Sequence, residues 1–149
     1  MSLSAKVMVA LKEAMKSKDQ TALTALRAVK SAILLAQTES GAKEELTEEQ
    51  ELKLLQKQVK QRKDSAAVYI EQGREDLAEP ELAEAKVIEQ FLPEALSEEE
   101  IAQIVEDIIT KTGAEGMKDM GKVMGMASKE LAGRADGKTI STIVKAKLA

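Results

Sequence analysis

Leu92-Pro93-Glu94-Ala95-Leu96-Ser97-Glu98-Glu99-Glu100-Ile101 holds the clearest boundary in the chain. A residue before proline is pushed out of the α region, so a helix ends at Leu92. Beyond the proline, Ser97 and Glu100 stand at the spacing of a reciprocal cap. The serine oxygen takes the N–H of the third helical residue, and the glutamate reaches back to the serine N–H. Leu96 and Ile101 occupy the two positions of a hydrophobic staple across that cap. Ile101, Ile104, Val105 and Ile108 then recur at three and four, the period of one helix face. A signalled stop followed by a signalled start predicts helix, break, helix, and the pattern extends both ways.

Upstream, Leu3, Val7, Ala10, Leu11 and Ala14 form one apolar stripe. Ala22, Leu26, Val29, Ile33 and Ala36 form a second behind a cap candidate at Asp19, and Gly41 lies in a polar connector. Thr47 and Gln50 repeat the capping-box spacing and open a long helix. Its expected inward face is Leu52, Leu55, Val59, Ala66 and Ile70, interrupted by Arg62, and it fades near Gly73. A shorter helix is expected after Pro80, carrying Leu82, Ala85, Ile88 and Phe91 or Leu92. Downstream, Gly113 stops the helix that Ser97 starts. Two more follow, about 118–132 and about 138–148, separated by Gly133-Arg134-Ala135-Asp136-Gly137. The residues are mostly good helix formers with few β-branched runs. The sequence thus predicts an all-α protein: an N-terminal helical part of about four helices, residues 1–92, followed by a compact three-helix module, residues 93–149.

Composition excludes much chemistry. The 149 residues include no cysteine, histidine or tryptophan, and Tyr69 and Phe91 are the only aromatic side chains. Disulfides, thiolate nucleophiles and every metal or catalytic constellation that needs histidine are therefore impossible. An aromatic platform for stacking single-stranded bases is missing as well. No cofactor or metal is expected. No stretch approaches the ~20 apolar residues of a membrane span. The opening residues are too charged for a secretory leader, and Glu13 departs from the mitochondrial pattern, so a cytoplasmic location is expected.

The formal charge is −4, and its distribution is uneven. Residues 53–63 hold Lys53, Lys57, Lys60, Arg62 and Lys63 without an acid; a charged helical stripe of this kind is ordinarily a solvated face. Residues 93–110 hold six acids and no base, whereas residues 111–149 hold eight basic residues against four acidic ones. An acidic protein can thus carry a basic face. Paired acids such as Glu44-Glu45 and Glu48-Glu49 read as first-turn complements to helix dipoles.

Gly116-Met117-Lys118-Asp119-Met120-Gly121-Lys122-Val123 imitates a phosphate-binding loop, but Val123 stands where a magnesium-holding hydroxyl is required. Met120, Val123, Met124, Ala127 and Leu131 instead mark a core face. Gly121 and Gly125 fall on another face, where each costs up to ~1 kcal/mol relative to alanine. Either a neighbouring helix packs closely there, which is the ordinary account, or a partner approaches the backbone. In the 133–137 loop, Gly133 can end one helix and Asp136 can cap the next, setting Arg134 and Lys138 beside a helix N-terminus, where free N–H groups favour phosphate. Lys122, Lys129, Lys145 and Lys147 could add charge.

The whole chain resembles the YqeY family, small bacterial proteins related to the tail domain of GatB, the B subunit of the tRNA-dependent amidotransferase. The resemblance is carried by Leu26-Arg27 with Lys30-Ser31-Ala32, the run Lys57 to Ser65, and Phe91-Leu92-Pro93-Glu94 with Leu96 to Glu100. It is carried further by Asp119 to Gly125, Ala135-Asp136-Gly137 and Ile143-Val144-Lys145. Ala127-Ser128-Lys129 departs from the family, in which a proline is common there. The resemblance implies an all-α fold in two parts and a link to amide transfer onto mischarged tRNA. A carbon–nitrogen ligase label with glutamine as amido donor comes with it. In the amidotransferase, chemistry belongs to other domains, and the tail grips the outer corner of tRNA. A non-catalytic tRNA-binding module is thus the leading expectation, with Lys122, Arg134, Lys138 and Lys145 on phosphates and riboses. Gly121, Gly125 and Gly137 would admit the RNA backbone. The competing readings are an adaptor docking on an amidotransferase or an aminoacyl-tRNA synthetase, and an accessory part of the ligase.

Overall fold

The computed structural model describes residues 2–39 and 45–149, so Gly41 and its connector lie outside the described residues. The fold is all-α, with no strand among the described residues. The helices are α1 (Leu3–Ser17), α2 (Gln20–Glu39), α3 (Glu48–Glu71), α4 (Glu75–Glu89), α5 (Glu98–Thr112), α6 (Met120–Glu130) and α7 (Gly137–Leu148). A 3₁₀ turn, Met117–Asp119, leads into α6. The chain divides into two compact units, Met1–Leu92 and Pro93–Ala149.

In the first unit the stripes of α1 and α2 face each other. Leu3, Val7, Leu11, Leu23, Leu26, Val29 and Ile33 are buried with Leu55 and Val59 of α3 and Ala85 and Ile88 of α4. Each such side chain taken from water contributes about 1.5–3 kcal/mol if it is as large as valine or leucine. The caps form as their spacing requires. Asp19 Oδ1 accepts from the Ala22 N–H at 3.1 Å. At α3, Gln50 N–H donates to Thr47 Oγ1 at 3.2 Å and Thr47 N–H to Gln50 Oε1 at 2.9 Å.

Expectations in this unit fail at Pro80, at Ile70 and at Leu82, which is exposed rather than on the packed face of its helix. The helix expected after Pro80 begins at Glu75, with Pro80 inside it. A proline at this second turn removes the bond that its own N–H would give to Asp76. The helix survives because Ala78, Ala85 and Ile88 are buried and Arg62 and Lys63 of α3 pair with Glu84 and Glu89 at 3.4 and 2.8 Å. Ile70 is exposed rather than inward. It sits in the last turn of α3, where the chain is already turning through Gly73 towards α4.

In the second unit α5, α6 and α7 each pack on the other two. The core is Ile101, Val105, Ile108, Val123, Ala127, Leu131, Ile140, Val144 and Leu148, with Leu96, Met120 and Met124 packed against it. The Ser97–Glu100 box forms, with Glu100 N–H on Ser97 Oγ at 3.2 Å and Ser97 N–H on Glu100 Oε1 at 3.4 Å. Gly113 ends α5 in the left-handed conformation at φ 70°.

Candidate nucleic-acid interface

Three segments consecutive in the chain supply the residues singled out for phosphate: α6, the loop after it and α7, with Lys138 in its first turn and Lys145 in its last. On α6 the core positions Val123 and Ala127 are fully buried. With 100° per residue, Gly121, Lys122, Gly125, Ser128 and Lys129 fall on the opposite side, and all five are exposed. A Cβ built at Gly121 or at Gly125 meets nothing within 4 Å. Close internal packing, the ordinary account of these glycines, is therefore overturned. Bare helix backbone faces solvent, flanked by Lys122 and Lys129. These stand two turns apart, on the order of 10 Å along the axis at 1.5 Å per residue.

The loop is built for a sharp reversal. Gly133 takes φ 79°, which a side chain rarely adopts. Asp136 caps α7 by accepting from the Lys138 N–H at 3.4 Å. Gly137 is exposed, with open space where a Cβ would stand. Lys138 and Lys145 recur seven apart on α7 and are both exposed. Among the described residues, Lys122, Lys129, Lys138 and Lys145 make no ion pair.

Two cations are less available than the sequence implies. Arg134 donates from Nε to the carbonyl of Glu94 at 3.5 Å. Its own carbonyl accepts from the Leu96 N–H at 3.0 Å. Arg134 thus holds down the segment that enters α5 while remaining exposed. Lys147 donates to Glu106 of α5 at 2.6 Å, so its charge is spent within the unit. The α3 lysines belong to the other unit. Lys53 pairs with Glu49 at 3.1 Å, and Lys60 reaches Asp64 at 4.0 Å.

Among the described residues, no group of three or more acids could hold a metal ion. The imitation phosphate loop runs through the 3₁₀ turn straight into α6 rather than from a strand. A surface cleft of about 540 Å³ lies in the first unit, between α1, the start of α2 and Phe91. No helix is long and apolar enough to cross a membrane among the described residues.

Comparison with known proteins adds the context. The family described as Yqey-like protein matches residues 4–148. Altered inheritance of mitochondria protein 41, mitochondrial, of Pyrenophora tritici-repentis is 34% identical over 127 residues, which is 84% of this chain and 68% of that protein. Its namesake from Kluyveromyces lactis is 33% identical over 139 residues, 91% of this chain and 70% of that protein. A glutamyl-tRNA(Gln) amidotransferase subunit of Thermococcus gammatolerans is 41% identical over 73 residues, 46% of this chain. The match spans 12% of that protein's length. The kinship with amidotransferase subunits that the resemblance implied is thus present in the alignment itself. The cytoplasmic expectation is overturned, because the relatives that cover most of the chain are named as mitochondrial proteins. Glu13, on which that expectation leaned, lies on α1, a helix with Leu3, Val7 and Leu11 buried.

Proposed function

The chain belongs to the Yqey-like protein family, and from that premise we propose that its second unit binds tRNA by shape and backbone without itself catalysing a reaction. The observation that carries this reading is the outward surface of α6 and α7. Lys122, Lys138 and Lys145 are exposed and, among the described residues, make no ion pair, and Gly121, Gly125 and Gly137 have open space where a Cβ would stand. Lysine ammonium groups neutralise phosphates one by one. Gly121, Gly125 and Gly137 let a sugar–phosphate backbone approach main chain that a side chain would hold off. Arg134 adds its terminal guanidinium nitrogens while Nε stays on Glu94. Residues 93–149 hold no aromatic side chain, so this unit itself offers no base stacking and recognition rests on backbone geometry. The name of the amidotransferase protein that shares sequence with the chain supports tRNA as the nucleic acid. The acids of α5 balance the basic surface, which is why the overall charge conceals it.

The test is binding of bulk tRNA to the purified chain between about 50 and 200 mM salt. Three to four phosphate contacts give a log–log slope of about −3, a loss on the order of 60-fold across that range. Lys122→Gln with Lys138→Gln should lower the slope by about two units, since each removed contact accounts for roughly 0.9. Helicity should not change, because both side chains are exposed. A flat baseline at both salts refutes the reading, and an unchanged slope in the double variant removes these residues from it.

A further inference from the structure

The motif Leu26-Arg27 with Lys30-Ser31 lies in the first unit and plays no part in the RNA reading. Leu26 is core, but Thr24, Arg27, Lys30, Ser31, Leu34, Leu35 and Thr38 are all exposed. Arg27, Ser31, Leu34 and Thr38 recur at four, three and four, so they form one stripe along α2. Residues 20–38 contain no carboxylate, the longest such stretch in a chain with 26 acids. Among the described residues, neither Arg27 nor Lys30 has an ion-pair partner. Leu34 and Leu35, at 55% and 60% exposed, are the most exposed large apolar side chains described. The hydroxyls are turned inward: Thr24 donates to the Gln20 carbonyl at 3.0 Å and Thr38 to the Leu34 carbonyl at 2.8 Å.

We propose that this face of α2 docks an acidic amphipathic helix of a partner protein. Two uncompensated cations call for carboxylates opposite them. Two adjacent exposed leucines about one turn further along α2 call for apolar anchors next to those carboxylates, the pattern of a helix laid along a helix. An RNA backbone would satisfy the cations but would strand the leucines and find the threonine hydroxyls already used. This surface stands independently of the RNA reading, on a different unit and different residues.

The probe is a fluorescently labelled synthetic helix of leucine–glutamate repeats, titrated with the full chain and followed by anisotropy. A matching leucine–lysine helix is the control, and phosphatidylglycerol vesicles and sedimentation are run beside it. Saturable binding of the glutamate helix over the lysine helix is expected. Arg27→Glu with Lys30→Glu, and separately Leu34→Ser with Leu35→Ser, should each weaken it by about tenfold or more, as loss of paired anchors does. Circular dichroism and tRNA binding should stay unchanged, and Lys122→Gln with Lys138→Gln should leave the peptide affinity as it was. Equal binding of both helices, or indifference to both α2 variants, overturns the proposal. So does an α2-dependent preference for vesicles, or sedimentation showing that Leu34 and Leu35 join two copies of the chain.

Discussion

Replacing Gly125 by alanine sets stability and binding against each other. Gly125 lies inside α6, in ordinary helical backbone, with open space where the new methyl group would stand. The substitution therefore adds helix propensity without a clash, about 0.8–1 kcal/mol in favour of folding. Gly121, in the first turn of α6, should give less. For a unit of this size, about 1 kcal/mol moves the melting temperature by roughly 4–8 °C. The same methyl group projects from the face assigned to RNA and should hold the backbone off, weakening tRNA binding; leucine at the same position should weaken it further. Thermal unfolding by circular dichroism and tRNA anisotropy, on the same protein, read the two effects. A lowered melting temperature would mean that the glycine serves packing after all. A raised melting temperature with unchanged affinity would mean that RNA does not approach α6. Only the opposed changes fit the argument.

Leu131→Ala should cost about 2–5 kcal/mol and melt the second unit first, because Leu131 is 1% exposed at the centre of its core; differential scanning calorimetry would resolve the step. Pro80→Ala should stabilise the first unit by about 1–3 kcal/mol, since it restores the second-turn bond of α4 at an exposed position; a lower denaturant midpoint would refute this. The Arg74 guanidinium hydrogen-bonds Asp76 and holds its carboxyl below the ordinary carboxylate range. That pair favours folding above the unfolded carboxylate pKa, and its contribution is lost as pH falls through the lowered folded value. A carboxyl NMR titration should show the low midpoint for Asp76, and Arg74→Gln should return it to the ordinary range.

What the amino-acid sequence determined by itself is everything that acts over about four residues. Ser97 with Glu100, Thr47 with Gln50, Asp19 at α2 and Asp136 at α7 all cap as their spacing dictates, because a cap is a bond between near neighbours in the chain. The core faces follow equally from the helical period, as Val123, Ala127 and Leu131 show. Only tertiary structure decided the rest. Pro80 is tolerated inside α4 because α3 packs against that helix, and Ile70 is exposed because α3 reverses just beyond it. Arg134 is engaged by Glu94 and Lys147 by Glu106 across 40 and 41 residues, so no local pattern could separate them from Lys122, Lys138 and Lys145. The exposed glycine face of α6 and the acid-free face of α2 are of the same kind. Spacing places residues on one side of a helix, but whether another helix covers that side depends on how distant segments pack.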